Sequence, residues 1–181
     1  MGEIHFRPAN PGDAQLWAVT QQKAWAATYR SIYPDACIDH YDYPKKEGQD
    51  HRNLSDPEIS SYLVMDGAQC AGYFSYGPTS AGEFYLKSLY ILPPYQGRGL
   101  GREIFRQLRA DCSGLGFTGF YCHCNQHNLP ARDFYVHMGG RLVCIDGGHA
   151  NRAEDQCRYE FDLTEYTANE KGETPCLPKP R

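Results

Sequence analysis

Three stretches of this chain hold residue types at spacings able to do chemistry. The first is Leu89-Tyr90-Ile91-Leu92-Pro93-Pro94-Tyr95-Gln96-Gly97-Arg98-Gly99-Leu100-Gly101-Arg102, where an apolar strand passes two prolines into a Gly-rich turn and then a helix. Glycines let a backbone approach a bound oxyanion, and the unpaired amides of a first helical turn point at it along the positive end of the helix dipole. Such a turn cradles a pyrophosphate; the same turn without a ligand is the alternative. No Gly-Lys-Ser/Thr follows, and the Gly-x-Gly-x-Gly spacing departs from the dinucleotide fingerprint, so neither nucleotide-binding loop is expected. The second stretch, Asn128-Leu129-Pro130-Ala131-Arg132-Asp133-Phe134-Tyr135 with Gly139-Gly140 beyond it, puts an amide at a helix start and a phenol on that helix. The third, Cys122-His123-Cys124, has metal-ligand residue types. A strand sends both Cys to one face and His123 to the other, and no Cys-x-x-Cys stands elsewhere, so no metal is expected. His123 or His127 as a proton relay remains an alternative to a packed or solvated imidazole.

Strands and helices have to position these groups. Residues 3–7 read as a strand, and Asn10 followed by Pro11 opens a helix over about 11–30. The stretch 31–56 reads as irregular, with a short helix near 35–42 and a polar loop at Lys45-Lys46-Glu47-Gly48. Ser61 to Met65, the turn pair Asp66-Gly67, and Gln69 to Tyr76 make a β-hairpin. Further strands are expected at 83–92, 117–124, 141–145 and 158–163, with helices from about Gly101 to Ser113 and over 129–137. The order implies one mixed sheet covered by helices on both faces. One domain, 1–163, is expected, with a polar, Pro-punctuated C-terminal tail over 164–181 whose composition reads as disordered.

In that context the two motifs resemble the GNAT N-acetyltransferase family, over about residues 3 to 163. Gln96, Gly99 and Gly101 match its Gln/Arg-x-x-Gly-x-Gly/Ala signature for acetyl-CoA. Asn128, Ala131, Phe134, Tyr135 and Gly139 match its later Asn-x-x-Ala-x-x-Phe-Tyr element. The resemblance implies an α/β (α+β) GNAT fold: a mixed, mostly antiparallel sheet of about six to seven strands, splayed in a V for acetyl-CoA.

By that resemblance the amides of Gly97, Arg98, Gly99, Leu100, Gly101 and Arg102, with Gln96, hold the pyrophosphate. Leu89 and Ile91 offer backbone to the pantetheine, and a β-bulge on that strand aims an N–H, here from near Ile91, at the thioester carbonyl. Asn128 bonds the cofactor, Ala131 lines it, and Tyr135 sits beside its sulfur. An amine attacking a thioester expels a thiolate of pKa near ~8.5, which a phenol of pKa near ~10 can protonate. A purely packing Tyr135 is the alternative. The attacking ammonium, of pKa near ~10.4, must first lose a proton. Many family members carry a Glu for this early in the strand, where this chain has Tyr85. The nearest carboxylate is Glu83, on the same strand face as Tyr85 and, by parity, as Leu89 and Ile91. Glu83 as the base stands beside Glu83 as a solvated strand-end residue. Tyr29 and Tyr85 are the expected substrate-lining residues, in a region that also holds Trp17, Trp25 and Tyr33.

Composition bounds the rest. Lys+Arg 18 against Asp+Glu 22 gives net −4, which argues against a nucleic-acid binder and weakly favours amine-bearing partners. No apolar run reaches membrane-spanning length, and Met1 to Arg7 lacks the pattern of a secretory leader. Eight Cys in a chain of this size are therefore expected as free thiols in the cytoplasm. The expected activity is acetyl-CoA-dependent transfer to a primary amine of a small molecule or peptide, by direct attack in a ternary complex. Its rivals are use of another acyl-CoA, a non-catalytic acyl-CoA-binding or regulatory module, and a phosphate-binding regulator without CoA. Polyamines, amino acids, aminoglycosides and protein amines all fit as acceptor; no nucleic-acid or membrane partner is expected, and the family's frequent pairing leaves a homodimer open.

Overall fold

The computed structural model describes residues 3–40, 42–147, 149 and 151–164, with Tyr43 described by its backbone alone. The tail expected over 164–181 lies outside the described residues beyond Thr164. Among the described residues there are seven strands: β1 (Ile4–Pro8), β2 (Ser60–Asp66), β3 (Gln69–Pro78), β4 (Phe84–Ile91), β5 (Gly119–Asn125), β6 (Arg141–Asp146) and β7 (Gln156–Asp162). Five α-helices accompany them in the same residues: α1 (Ala14–Tyr29), α2 (Asp35–Asp39), α3 (Tyr43–Leu54), α4 (Leu100–Gly114) and α5 (Leu129–His137). The sheet order is β1-β2-β3-β4-β5-β7-β6, antiparallel throughout except where β4 meets β5 in parallel.

Local chemistry explains most boundaries. The Asn10 side chain accepts from the Gly12 amide at 2.9 Å while Asp13 accepts from the Asn10 amide, a reciprocal cap that starts a 3-10 turn leading into α1. Arg7 clamps Asp13 at 2.7 Å and holds its carboxyl below the usual range, chiefly through that hydrogen bond. Gly67, at φ 58°, makes the hairpin turn between β2 and β3. The polar loop expected at 45–48 is instead part of α3: Asp42 accepts from the Lys45 amide at 3.1 Å and Pro44 occupies the first turn, both start signals for a helix. That helix packs on α1, which stabilises a segment with little apolar pattern of its own.

Each sheet face has its own apolar cluster. On one face Trp17 and Ala24 of α1 pack with Leu63, Met65 and Tyr73, flanked by Tyr90 and Leu92. On the other, Ile104, Phe105 and Leu108 of α4 pack with Phe74, Phe84, Leu86, Phe120 and Phe161. No helix among the described residues is long and apolar enough to cross a membrane.

Candidate active site

β4 ends on a 3-10 turn, Pro93–Tyr95, and the chain then reaches α4 through Gly97 at φ 72° and Gly99 at φ 80°. Both angles lie in the left-handed region that glycine enters without penalty. The first bond of the new helix runs from the Glu103 amide to the Gly99 carbonyl, so the amides from Gly97 to Arg102 precede it. Nothing lies within 4 Å of where a side chain would start at Gly97 or Gly99, which leaves the backbone open to an oxyanion. Gln96 lines the groove, and its side-chain amide donates to the Ile91 carbonyl at 2.8 Å, tying the turn to the strand that feeds it. Arg98 similarly donates to the Pro94 carbonyl at 2.7 Å. Gly101 serves packing: a Cβ there would lie 2.8 Å from the Phe134 ring of α5.

β4 and β5 pair only at Tyr85–Tyr121 and Leu86–Cys122, then diverge. The gap opens into a groove of about 840 Å³, floored by Leu89, Tyr90 and Ile91. The Gly-rich turn, the α5 residues Ala131, Phe134 and Tyr135, and Asn128 just ahead of them form its walls, with Ala24, Thr28 and Ile32 at its margin. The Leu92 amide donates to the Ala71 carbonyl of β3 at 2.8 Å. Strand alternation then turns the backbone groups of Leu89 and Ile91 away from β3 and into the gap. Asn128 caps α5 by accepting from the Ala131 amide at 3.2 Å, which leaves its side-chain nitrogen for another acceptor.

Tyr135 is buried at the deep end of the groove beside the Cys122 thiol, and burial raises its phenol well above the ordinary value. It is therefore protonated at physiological pH and able to donate. Cys122 and Cys124 are buried while His123 is exposed on the opposite face, as strand alternation requires. No cluster of three metal-ligating side chains occurs among the described residues, and all seven described cysteines are free.

β4 carries a bulge, four residues ahead of Ile91. Ser88 pairs with Ser75 and Leu86 with Tyr76, so Lys87 is the extra residue. It reverses side-chain parity within β4, and this overturns the expectation that Glu83 and Tyr85 share a face with Leu89 and Ile91. Phe84, Leu86, Leu89 and Ile91 pack on the α4 side. Tyr85 faces the other side, stacked on Tyr121 with centroids 4.7 Å apart and edge-on to His123. Glu83 is partly exposed and bonded to Arg158 at 2.6 Å; that guanidinium lies 3.8 Å from the Tyr121 ring centroid and also holds Glu160. Neither Glu83 nor Tyr85 lines the groove. The Tyr85 and Tyr121 rings partly desolvate the His123 imidazole, and this first and Arg158 second lower its pKa, which favours a neutral imidazole there.

Tyr29 is buried at the end of α1, and its hydroxyl lies 3.0 Å from that of Tyr90. Tyr90, in the groove lining, and Asn125, which accepts from the amide of the lining residue His127, are residues that motif matching passes over. Tyr90 lies between the two residues assigned to the gap, and only strand alternation signals its different role. Asn125, fully buried at the end of β5, donates to the Tyr33 hydroxyl at 3.1 Å and to the Ala153 carbonyl at 2.5 Å, and accepts from the His127 amide at 2.8 Å. A polar residue closing an apolar strand was its one sequence signal.

The splayed sheet, the Gly-rich turn and the buried tyrosine at the apex together define a GNAT fold. The sequence model of the acetyltransferase (GNAT) family matches residues 22–139, and the chain belongs to that family. It is 29% identical over 90 residues, 49% of this chain and 53% of the other, to the thialysine N-epsilon-acetyltransferase of Sus scrofa. The chain spans about half the length of the thialysine acetyltransferases it matches. Among solved structures, it resembles the PaiA N-acetyltransferase of Thermoplasma acidophilum in complex with coenzyme A, with a TM-score of 0.71 and 16% identity over 88% of this chain and 99% of that one. It also resembles Arabidopsis thaliana NAA60 in complex with a bisubstrate analogue, with a TM-score of 0.63 and 21% identity over 90% of this chain and all of the other.

Proposed function

We propose that the protein transfers an acetyl group from acetyl-CoA to a primary amine by direct attack within a ternary complex. One observation carries this reading: the gap between β4 and β5 runs without interruption from the open turn amides to the Tyr135 phenol. The residues present suit the donor. Amides from Gly97 to Arg102 receive the pyrophosphate, and the backbone of Leu89 and Ile91 completes a sheet-like pairing with the pantetheine. The amides of Leu89 and Ile91 both face the gap, and the one beside the thioester carbonyl stabilises charge that develops on its oxygen. Asn128 offers its side-chain amide, and Ala131 leaves room beside it.

The amine nitrogen bonds to the carbonyl carbon as the carbon–sulfur bond breaks, and the ammonium proton leaves for solvent. Tyr135 donates a hydrogen bond to the departing sulfur and stabilises the thiolate, because a phenol raised by burial is a weaker acid than the thiol and keeps its own proton. Tyr29 acts behind the groove lining, through its bond to the Tyr90 hydroxyl, and Tyr85 lies outside it. Relatives whose names carry thialysine support an alkyl amine as acceptor. The test is a thiol-release assay with acetyl-CoA and a panel of amines. Release of CoA that depends on the amine supports the reading. Binding of acetyl-CoA without amine-dependent release, across alkyl amines, amino acids and peptides, overturns it in favour of an acyl-CoA-binding module.

A further inference from the structure

An attacking ammonium must first lose a proton, yet no carboxylate lines the groove among the described residues. Two imidazoles do, those of His127 and His137. His137 ends α5, more than two turns beyond Asn128. His127 immediately precedes Asn128, in the turn between β5 and α5.

Three connections of the chain meet at His127. Asn125 donates to the Tyr33 hydroxyl, after α1, and to the Ala153 carbonyl, between β6 and β7, while its side-chain oxygen accepts from the His127 amide at 2.8 Å. The ring is held as well, with Nε2 at 3.3 Å from the Arg152 carbonyl. A carbonyl only accepts, so Nε2 carries the hydrogen of the neutral ring. Nδ1 then keeps its lone pair, and it has no partner among the described residues. That is the form of imidazole able to take a proton. The side chain is exposed, which gives the proton a way out. The titratable groups on the elements that meet here are Tyr33, Arg132 of α5, whose guanidinium donates to the Gln126 carbonyl, and Arg152, Glu154 and Asp155 between β6 and β7.

We propose that His127 is the general base of the transfer, taking a proton from the acceptor nitrogen at Nδ1 and passing it to water. The inference rests on the acetyl-transfer reading and deepens it. One ammonium proton moves to Nδ1 and frees the lone pair that attacks the carbonyl carbon. The carbon–sulfur bond leaves its electron pair on sulfur, and the nitrogen gives up a second proton to water as the amide forms. The imidazolium returns the first proton to solvent and the thiolate takes one from solvent, so each turnover releases one proton.

Thiol-release kinetics test it with the amine of the panel that releases CoA fastest. His127→Gln keeps a side-chain N–H for the Arg152 carbonyl and removes the basic nitrogen; His127→Ala removes both. In each, kcat/KM for the amine is expected to fall about 10²-fold at pH 7, and the deficit to shrink about tenfold by pH 10 as free amine accumulates. Imidazole added to His127→Ala is expected to restore part of the loss. The dissociation constant for acetyl-CoA, read by calorimetry, is expected to stay within about twofold, whereas a displaced turn would carry Asn128 with it and weaken donor binding. Because the side chain is exposed, both variants are expected to melt within about 3 °C of the wild type. Turnover of His127→Gln within about threefold of wild type at pH 7, or a loss that is the same at every pH, overturns the base and leaves the acetyl-transfer reading standing. A wild-type protein that binds acetyl-CoA but releases no CoA with any amine overturns both.

Discussion

The hydroxyls of Tyr29 and Tyr90 lie 3.0 Å apart and join the last turn of α1 to the splayed end of β4. Burial pushes both phenols above their ordinary values, so both stay neutral and one donates to the other. The bond fixes the distance between the end of α1 and the strand that borders the gap. A double-mutant cycle of Tyr29→Phe and Tyr90→Phe, read by denaturant unfolding, is expected to give a coupling energy of about 1 kcal/mol. Strict additivity would show that the two hydroxyls do not bond each other in solution.

Tyr135→Phe keeps the ring and removes the donor. Turnover is expected to fall about 10²-fold, with a smaller change in KM for acetyl-CoA and a stability change below about 1 kcal/mol. Thiol-release kinetics and a thermal melt on the same sample check it. Turnover within a factor of two would leave the ring as packing.

The two turn glycines should separate by phenotype. Gly99→Val forces a β-branched residue to φ 80° where no neighbour crowds it, so its effect is expected on acetyl-CoA affinity, about tenfold or more by calorimetry. Gly101→Ala drives a methyl against Phe134 and should cost about 1–3 kcal/mol of stability. An unchanged dissociation constant in folded Gly99→Val would remove the turn from the donor site.

Glu83 is engaged by Arg158 and lies outside the groove lining. Glu83→Gln is therefore expected to lower turnover at neutral pH by no more than about threefold. A drop of tenfold or more that recovers at high pH, as free amine accumulates, would restore the carboxylate as the base.

Asp50 tests electrostatics away from the site. It is buried on α3, its Oδ2 has no hydrogen-bond partner among the described residues, and burial raises its pKa although Lys46 offsets part of the effect. The folded state holds this proton more tightly than the unfolded chain. The residue's contribution to stability is thus complete below the ordinary Asp value of about 3.9 and is lost as pH rises through the higher folded value. Asp50→Asn is expected to stabilise the protein at pH 7 by on the order of 1 kcal/mol, with the gain shrinking toward pH 4. Melts across that range check the sign.

Much of this architecture was legible from residue patterns. The hairpin rests on Asp66-Gly67, the donor turn on Gln96 to Gly101, and α5 on Asn128 and Pro130, because each pattern acts locally through backbone angles or caps. Two features were not. The α3 helix is polar almost throughout, so its cap at Asp42 and Pro44 was outweighed by a loop-like run, and packing on α1 decided the outcome. The extra residue at Lys87 has no local signature, being neither glycine nor proline. It arises from how β3 and β4 align, which strand periodicity alone does not specify.

Lys87 works as a frameshift in the side-chain alternation of β4. Ahead of it, odd-numbered positions such as Tyr85 face the α1 side; after it, even-numbered ones such as Ser88 and Tyr90 do. Removing that single residue would exchange the two faces for half of the strand, setting Ser88 and Tyr90 against α4 and Leu89 and Ile91 toward α1. Keeping it lets Phe84 and Leu86 share the α4 core with Leu89 and Ile91 although the strand changes parity between them.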